Sequence, residues 1–274
     1  MHNGMISYDG LTESDFSLPE LPQPYLPGNR NRYPLLYLGF SALEEKTASI
    51  TLPVNMQAYS KQFNTCELGA SFEEILSEEK IRKLYKSVAV TDFKFCPLFY
   101  KGISHVGKID SPKLGLSSDF INRLKSFTDK LGCSLLQLPE NCTPENKDGL
   151  FRYLQALPGQ FDVAVEFTNM DWFNNPDQFG LIVEKMHQLN KGLVISDSPG
   201  RREAVHMQLS NATAFIRFYG EGWNEIDLHR ISQWKKQLHS WYLQGLEKCY
   251  FFLHIQNNEG QEDFINYVQE EFRF

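Results

Sequence analysis

Residues 133–167, CSLLQLPENCTPENKDGLFRYLQALPGQFDVAVEF, contain the unit from which the fold can be read. The run CSLLQLP (133–139) is apolar without sustained alternation, as expected of a strand buried on both faces of a parallel sheet. Helix grammar follows in TPENKDGLFRYLQAL: Thr143 is placed as N-cap, Pro144 at the first helical position and Glu145 just inside. DVAVEF (162–167) is a second apolar run. Strand, helix and strand in this order make a parallel crossover unit.

The same unit recurs outward in both directions. The other strand-like runs are LLYLGFS (35–41), TCELG (65–69), FKFCPLF (93–99), GLVISD (192–197), AFIRFYG (214–220) and CYFFLHI (249–255). Between them, SSDFINRLKSFTDKLG places Phe120, Leu124 and Phe127 on one stripe and closes at Gly132. NPDQFGLIVEKMHQLNKG opens with Asn175 and Pro176 and ends at Gly192. NEIDLHRISQWKKQLHSWYLQG, 261–271 and 78–87 supply further helices, while 201–210 carries little periodicity.

Eight strands alternating with helices leave a closed barrel or a doubly wound open sheet. No GxGxxG or GxxxxGK[ST] follows any strand, so nothing favours a nucleotide-binding open sheet. The expectation is an α/β fold, a TIM-type (β/α)₈ barrel forming a single domain over 34–274. Residues 1–33, rich in Pro, Asn, Gly and acidic residues, read as an N-terminal extended arm lying over the barrel, capping one of its ends, or as a partly disordered segment.

At 274 residues with 42% hydrophobic and 14% aromatic content, the chain can bury a large core. No apolar run approaches the roughly 20 residues of a membrane span, and the first residues show no basic or apolar leader pattern. The five cysteines are odd in number and form no CxxC pair, which suits free thiols in a reducing cytoplasmic setting. A net charge of −7 gives no global attraction to nucleic acid or anionic membrane. The sequence leaves cofactor and oligomeric state open.

Function in such a barrel belongs at the C-terminal strand ends and the loops after them. Those places carry Ser41, Glu67, Gln137, Glu166, Asp197, Arg217 and His254, with His105 after the third strand. Glu67 and Glu166 sit against apolar runs, where a carboxylate is costly unless paired or wet. Each is therefore either a pocket residue or half of a structural ion pair. Arg217 could bridge those carboxylates or bind an anionic group through its fork of donors. Asp197 begins the turn SDSPG and is equally ordinary turn chemistry. Trp172 and Trp223 could stack on a ligand or pack their loops down. No HExxH, EF-hand loop, Cys/His cluster or GxSxG occurs, so no metal ligands are assigned.

The order of these segments resembles the domain-of-unknown-function 72 family (YecE-like), whose members are (β/α)₈ barrels. The resemblance runs over roughly residues 35–270. It rests on YLGFS in the first strand, AYSKQFNTCEL (58–68), FKF with ISH (93–105), LGCSLLQLPEN (131–141), VAVEFTNMDWF (163–173), ISDSP (195–199), TAFIRFYG (213–220) and YFFLHIQNN (250–258). It implies that Glu67, His105, Gln137, Glu166, Asp197, Arg217 and His254 occupy the family's polar strand-end positions. Departures accompany it. The family's Trp after the first-strand Gly is missing from Phe40 to Leu43, and Leu98 stands where a lysine is usual. Glu73 replaces a Tyr, Thr168 and Asn169 replace Arg-His, and Tyr219 replaces a His. An anionic ligand of the family would then be held weakly or exchanged for another.

Three readings stay open. In the first, an acid/base enzyme acts on a small sugar or phosphorylated ligand. Glu67, Glu166, His105 and His254 would be catalytic, and Arg217, Asp197, Gln137, Asn169 and Trp172 would bind the ligand. A carboxylate locked in a plain salt bridge counts against it. The second is a non-catalytic ligand-binding or scaffold barrel with a plugged mouth. The third, by fold analogy alone, is a metal-dependent nucleic-acid repair hydrolase.

Overall fold

The computed structural model describes residues 8, 12–19, 24–28, 34–42, 55–110, 113–256 and 259–273. The rest of the arm and Leu43 lie outside the described residues.

All eight expected strands are present: β1 (Leu35–Ala42), β2 (Thr65–Leu68), β3 (Lys94–Pro97), β4 (Ser134–Gln137), β5 (Val163–Glu166), β6 (Gly192–Asp197), β7 (Thr213–Gly220) and β8 (Lys248–Ile255). Helices alternate with them: α1 (Met56–Tyr59), α2 (Ala70–Glu73), α3 (Glu78–Ser87), α4 (Lys101–Ser104), α5 (Leu114–Leu124), α6 (Lys147–Ala156), α7 (Pro176–Gln188), α8 (Glu225–Leu243) and α9 (Gln261–Glu271). Asn175 caps α7 as expected, whereas Thr143 caps a short 3₁₀ turn (Pro144–Asn146) ahead of α6, and α7 stops at Gln188, short of Gly192, which opens β6. The Asn175 side chain accepts from the Gln178 amide, with Pro176 opening α7, and a capping box joins Thr143 to Asn146 before α6. The connection after β6 holds only a short 3₁₀ turn, Arg202–Ala204, consistent with its weak periodicity.

All strand pairs are parallel. Six strands form one curled sheet in the order β1-β8-β7-β6-β5-β4, and β2 pairs with β3 in a second. The expected single ring of eight therefore meets two seams where no continuous backbone ladder runs. At the β3–β4 seam, the Gly132 amide donates to Phe95 O (2.8 Å) and the Phe99 amide to Leu135 O (2.9 Å). At the β1–β2 seam, one backbone bond, from the Asn64 amide to Leu38 O (3.3 Å), is joined by side-chain bridges. Asn64 Oδ1 accepts from the Leu38 amide (2.7 Å) while its Nδ2 donates to Leu36 O (2.8 Å). The Tyr59 hydroxyl accepts from the Phe40 amide (2.9 Å) and donates to Thr65 O (2.8 Å).

Strand alternation divides the core in two. Tyr37, Cys96, Leu98, Cys133, Leu135, Ala164, Val194, Phe215, Tyr250 and Phe252 gather on the concave face as one cluster. The intervening residues, such as Leu38, Cys66, Leu136, Val165, Ile195, Ile216 and Leu253, pack outward under the helices. The five cysteines are free and buried. Among the described residues no helix is long and apolar enough to cross a membrane.

The described pieces of the arm lie against α8, and Tyr25 also stacks on His187 of α7 (4.1 Å) and donates its amide to Leu209 O (3.1 Å). Tyr8 bonds Asp227 in the first turn of α8, the Leu18 amide donates to Gln233 Oε1 (2.8 Å), and the Gly28 amide donates to Gln244 O (3.0 Å) just past the helix end. Phe16 is buried beneath the guanidiniums of Arg202 and Arg230.

Candidate functional site

Two residues beyond the concave apolar cluster on β4 to β8 lie Gln137, Glu166, Ser196, Arg217 and His254, and Ser41 of β1 and Glu67 of β2 complete a polar layer with them. Period-two alternation aims them all at the same axis. Register sets neighbours side by side: Gln137 beside Glu166, Ser196 beside Arg217, and Tyr219 and Ser41 on either side of His254.

Arg217 is the hub. Its Nη1 donates to both oxygens of Glu166 (2.8 and 3.1 Å) and its Nη2 to Glu67 Oε2 (3.1 Å). Its Nε stands 2.9 Å from Glu67 Oε1, an ion-pair contact too bent to be a hydrogen bond. Glu166 is saturated further by Gln137 Nε2 (2.7 Å) and Ser196 Oγ (2.6 Å). His254 Nε2 lies 3.2 Å from Glu67 Oε2, and its ring stacks on Tyr219 at 4.7 Å. The side chains of Arg217, Glu166 and Glu67 are only 4, 7 and 1% exposed.

Electrostatics follow from that packing. Burial pushes the Glu67 carboxyl up, but the charge of Arg217 and the contact with His254 outweigh it and hold the group at about 2. Burial draws His254 below its ordinary value, only partly opposed by Glu67, so its ring is neutral near pH 7. Burial also disfavours the Arg217 charge, yet Glu166 and Glu67 more than restore it.

The structure thus brings Glu67, Gln137, Glu166, Arg217 and His254 into one contact network and places the other candidates elsewhere. Asp197 has the opposite parity to Ser196 and points outward. There it meets Arg230 Nη2 (2.8 Å), Trp234 Nε1 (2.7 Å) and Arg202. Burial raises its carboxyl, but Arg230 and Arg202 hold it below the ordinary carboxylate value. Asn169 caps a short turn through the Asp171 amide and donates to Glu140 O. Trp172 is buried on Phe167, its indole N–H on Cys142 O (2.6 Å). His105 touches Ser104 Oγ (2.8 Å) and meets Phe72 edge-on.

Three features were not read from the sequence. Ser196 had a signal, since it shares the parity of Val194. Phe72, after β2, packs onto the concave apolar cluster and so covers it, a place that composition alone does not reveal. The Arg230–Asp227 pair (2.7 Å) is hidden on α8, where the helix pattern looks merely amphipathic. Thr168, at a departure position, donates to Leu138 O (2.7 Å). Leu98 joins the apolar cluster, and Tyr219 lies under the Arg217 guanidinium at 5.4 Å. Among the described residues no group of three or more His, Cys, Asp or Glu side chains gathers as metal ligands would.

A curled parallel α/β sheet with one buried ionic layer at its strand ends is the class that fold and site define. The family model for the protein of unknown function DUF72 matches residues 48–273, and this chain belongs to that family. It is similar to the UPF0759 protein YecE of Escherichia coli, 23% identical over 237 residues, covering 80% of this chain and 86% of the relative. With the UPF0759 protein YunF of Bacillus subtilis it shares 28% over 264 residues, covering 82 and 90%. Among crystal structures, a DUF72 family protein from Enterococcus faecalis superposes with a TM-score of 0.70 at 16% identity, over 89% of this chain and all of that one. A DUF72 family protein from Thermotoga maritima gives 0.58 at 17%, over 86 and 97%.

Proposed function

We propose that this chain is a closed (β/α)₈ barrel that binds a small polar ligand at its strand-end mouth without transforming it. The observation that carries this reading is Arg217 locking both carboxylates at once. An acid/base residue needs a free lone pair and a proton affinity matched to the working pH. Glu166 accepts from three side chains. Glu67 is held at about 2, far from a proton-transfer role near neutrality. Arg217 has its donors turned onto protein carboxylates, so it offers little to a phosphate.

Closure of the ring is supported by the backbone bonds between β3 and β4 and the Asn64 and Tyr59 bridges between β1 and β2. The mouth keeps half-buried groups a ligand could reach, among them Gln137, Ser196 and Tyr219. The test is a melting screen of the full chain against sugars, sugar phosphates, amines, nucleotides and metal ions, with each hit recovered and identified by NMR. A raised melting temperature with the compound recovered unchanged is the expected result. Turnover of the compound would overturn the non-catalytic reading.

A further inference from the structure

The N-terminal arm is anchored to the residues that hold two loops of the mouth from behind. Phe16 lies beside two guanidiniums, with Arg202 at 5.3 Å and Arg230 at 5.4 Å from its ring, and the Tyr8 ring meets it edge-on at 5.4 Å. Arg202 Nη2 also donates to Phe16 O (3.2 Å) and Ser17 O (3.5 Å). Arg230 Nη1 donates to the Tyr8 hydroxyl (3.1 Å), which in turn donates to Asp227 Oδ1.

Each of these partners is fastened to a strand end. Arg230 holds Asp197 of β6 through its carboxylate (2.8 Å) and its carbonyl oxygen (2.9 Å), and it donates to Tyr219 O of β7 (2.9 Å). Arg202 pairs with the same Asp197 carboxylate. Asp227 Oδ2 accepts from the Glu221 and Gly222 amides in the loop after β7 (2.8 and 3.0 Å). On the inner side of the same two strands, Ser196 donates to Glu166 and the Tyr219 ring stacks on His254. One arm therefore bears on both loops that follow β6 and β7.

The grip is narrow. Among the described residues of the arm Phe16 alone is buried, while its neighbours Asp15 and Ser17 are exposed. A segment held by few buried apolar contacts opens at a lower free energy than the core to which it is attached.

We infer that the arm is a releasable clasp. Docked, Tyr8 and Phe16 fix the loops after β6 and β7; undocked, they free those loops while the rest of the barrel stays folded. This second state of the mouth does not depend on what the mouth binds.

Native-state hydrogen exchange of the full chain, followed amide by amide in low urea, tests it. The Leu18 amide, bonded to Gln233, reports the arm, and the Ala204, Glu221 and Gly222 amides report the loops. All four should share one opening, with protection factors within about threefold of each other and one urea slope, below the limit set by the strands. Phe16→Ala should speed exchange at Ala204, Glu221 and Gly222 about tenfold, while the Phe99 and Gly132 amides at the β3–β4 seam keep their wild-type rates. Tyr8→Phe keeps the ring on Phe16 but removes the hydroxyl bridge, and should give a smaller rise at Glu221 and Gly222. Should the Phe16 variant not fold, the wild type and Tyr8→Phe still report. Exchange at Leu18 with the loop amides still protected overturns the clasp, because the arm then leaves without loosening the loops. Opening of all four only with global unfolding overturns it too, because the arm is then part of one cooperative body.

Discussion

Arg217 carries the ionic layer, and removing it would strand two carboxylates in a site shielded from water. Breaking a buried pair from one side costs about 3–5 kcal/mol. Arg217→Leu should therefore lower the urea midpoint sharply, with an unchanged slope. Glu67 makes a separate prediction about pH. Its carboxyl is lowered from 4.5 to about 2, so between those values the unfolded chain binds more protons than the folded one. Its contribution is fully present above pH 4.5 and is lost as the pH falls toward 2, on the order of 3 kcal/mol in all. Glu67→Gln should flatten this part of the stability–pH curve, and an unaltered acid limb would show that Glu67 does not drive it. The members of the layer were legible in the sequence because a Glu or Arg inside an apolar run stands out. Their mutual pairing was not, because residues 67, 166 and 217 meet only when distant strands share one axis.

Within single elements, side-chain parity decides role. On β6, Ser196 faces the concave layer and Asp197 the α8 side, one position apart. Asp197→Ala would leave Arg230 and Trp234 with a vacant buried partner and should cost about 3–5 kcal/mol by chemical denaturation. Ser196→Ala removes one hydrogen bond and should cost about 1 kcal/mol. Equal losses would contradict the assignment of faces. On β1, a Cβ on Gly39 would stand 2.6 Å from the Phe252 ring and 2.9 Å from the Thr65 carbonyl oxygen. Gly39→Ala should therefore destabilise by about 1–3 kcal/mol through overpacking, read as a lower melting temperature. The sequence located both strands but treated Asp197 as a strand-end group without fixing its face. A one-residue difference in parity is invisible where apolar residues line both sides of a strand.

Across the whole molecule, stability depends on seams that the strand count did not disclose. Asn64 holds two backbone groups of β1 where no ladder reaches β2. Asn64→Ala should leave them unsatisfied at about 1–3 kcal/mol each and speed hydrogen exchange at the Leu38 amide. Protection at Leu38 equal to that of the wild type would argue that the seam does not rely on this side chain. Short apolar runs, N-cap signals and helical periodicity by themselves determined eight strands, most of the helices between them and most of the polar layer, because those signals are local. Only the tertiary structure decided that β2 and β3 pair apart from the other six strands and that Phe72 covers the concave core. It alone also decided that Glu67 and Glu166 serve one arginine, because these outcomes depend on which side chains meet across the axis of a curled sheet.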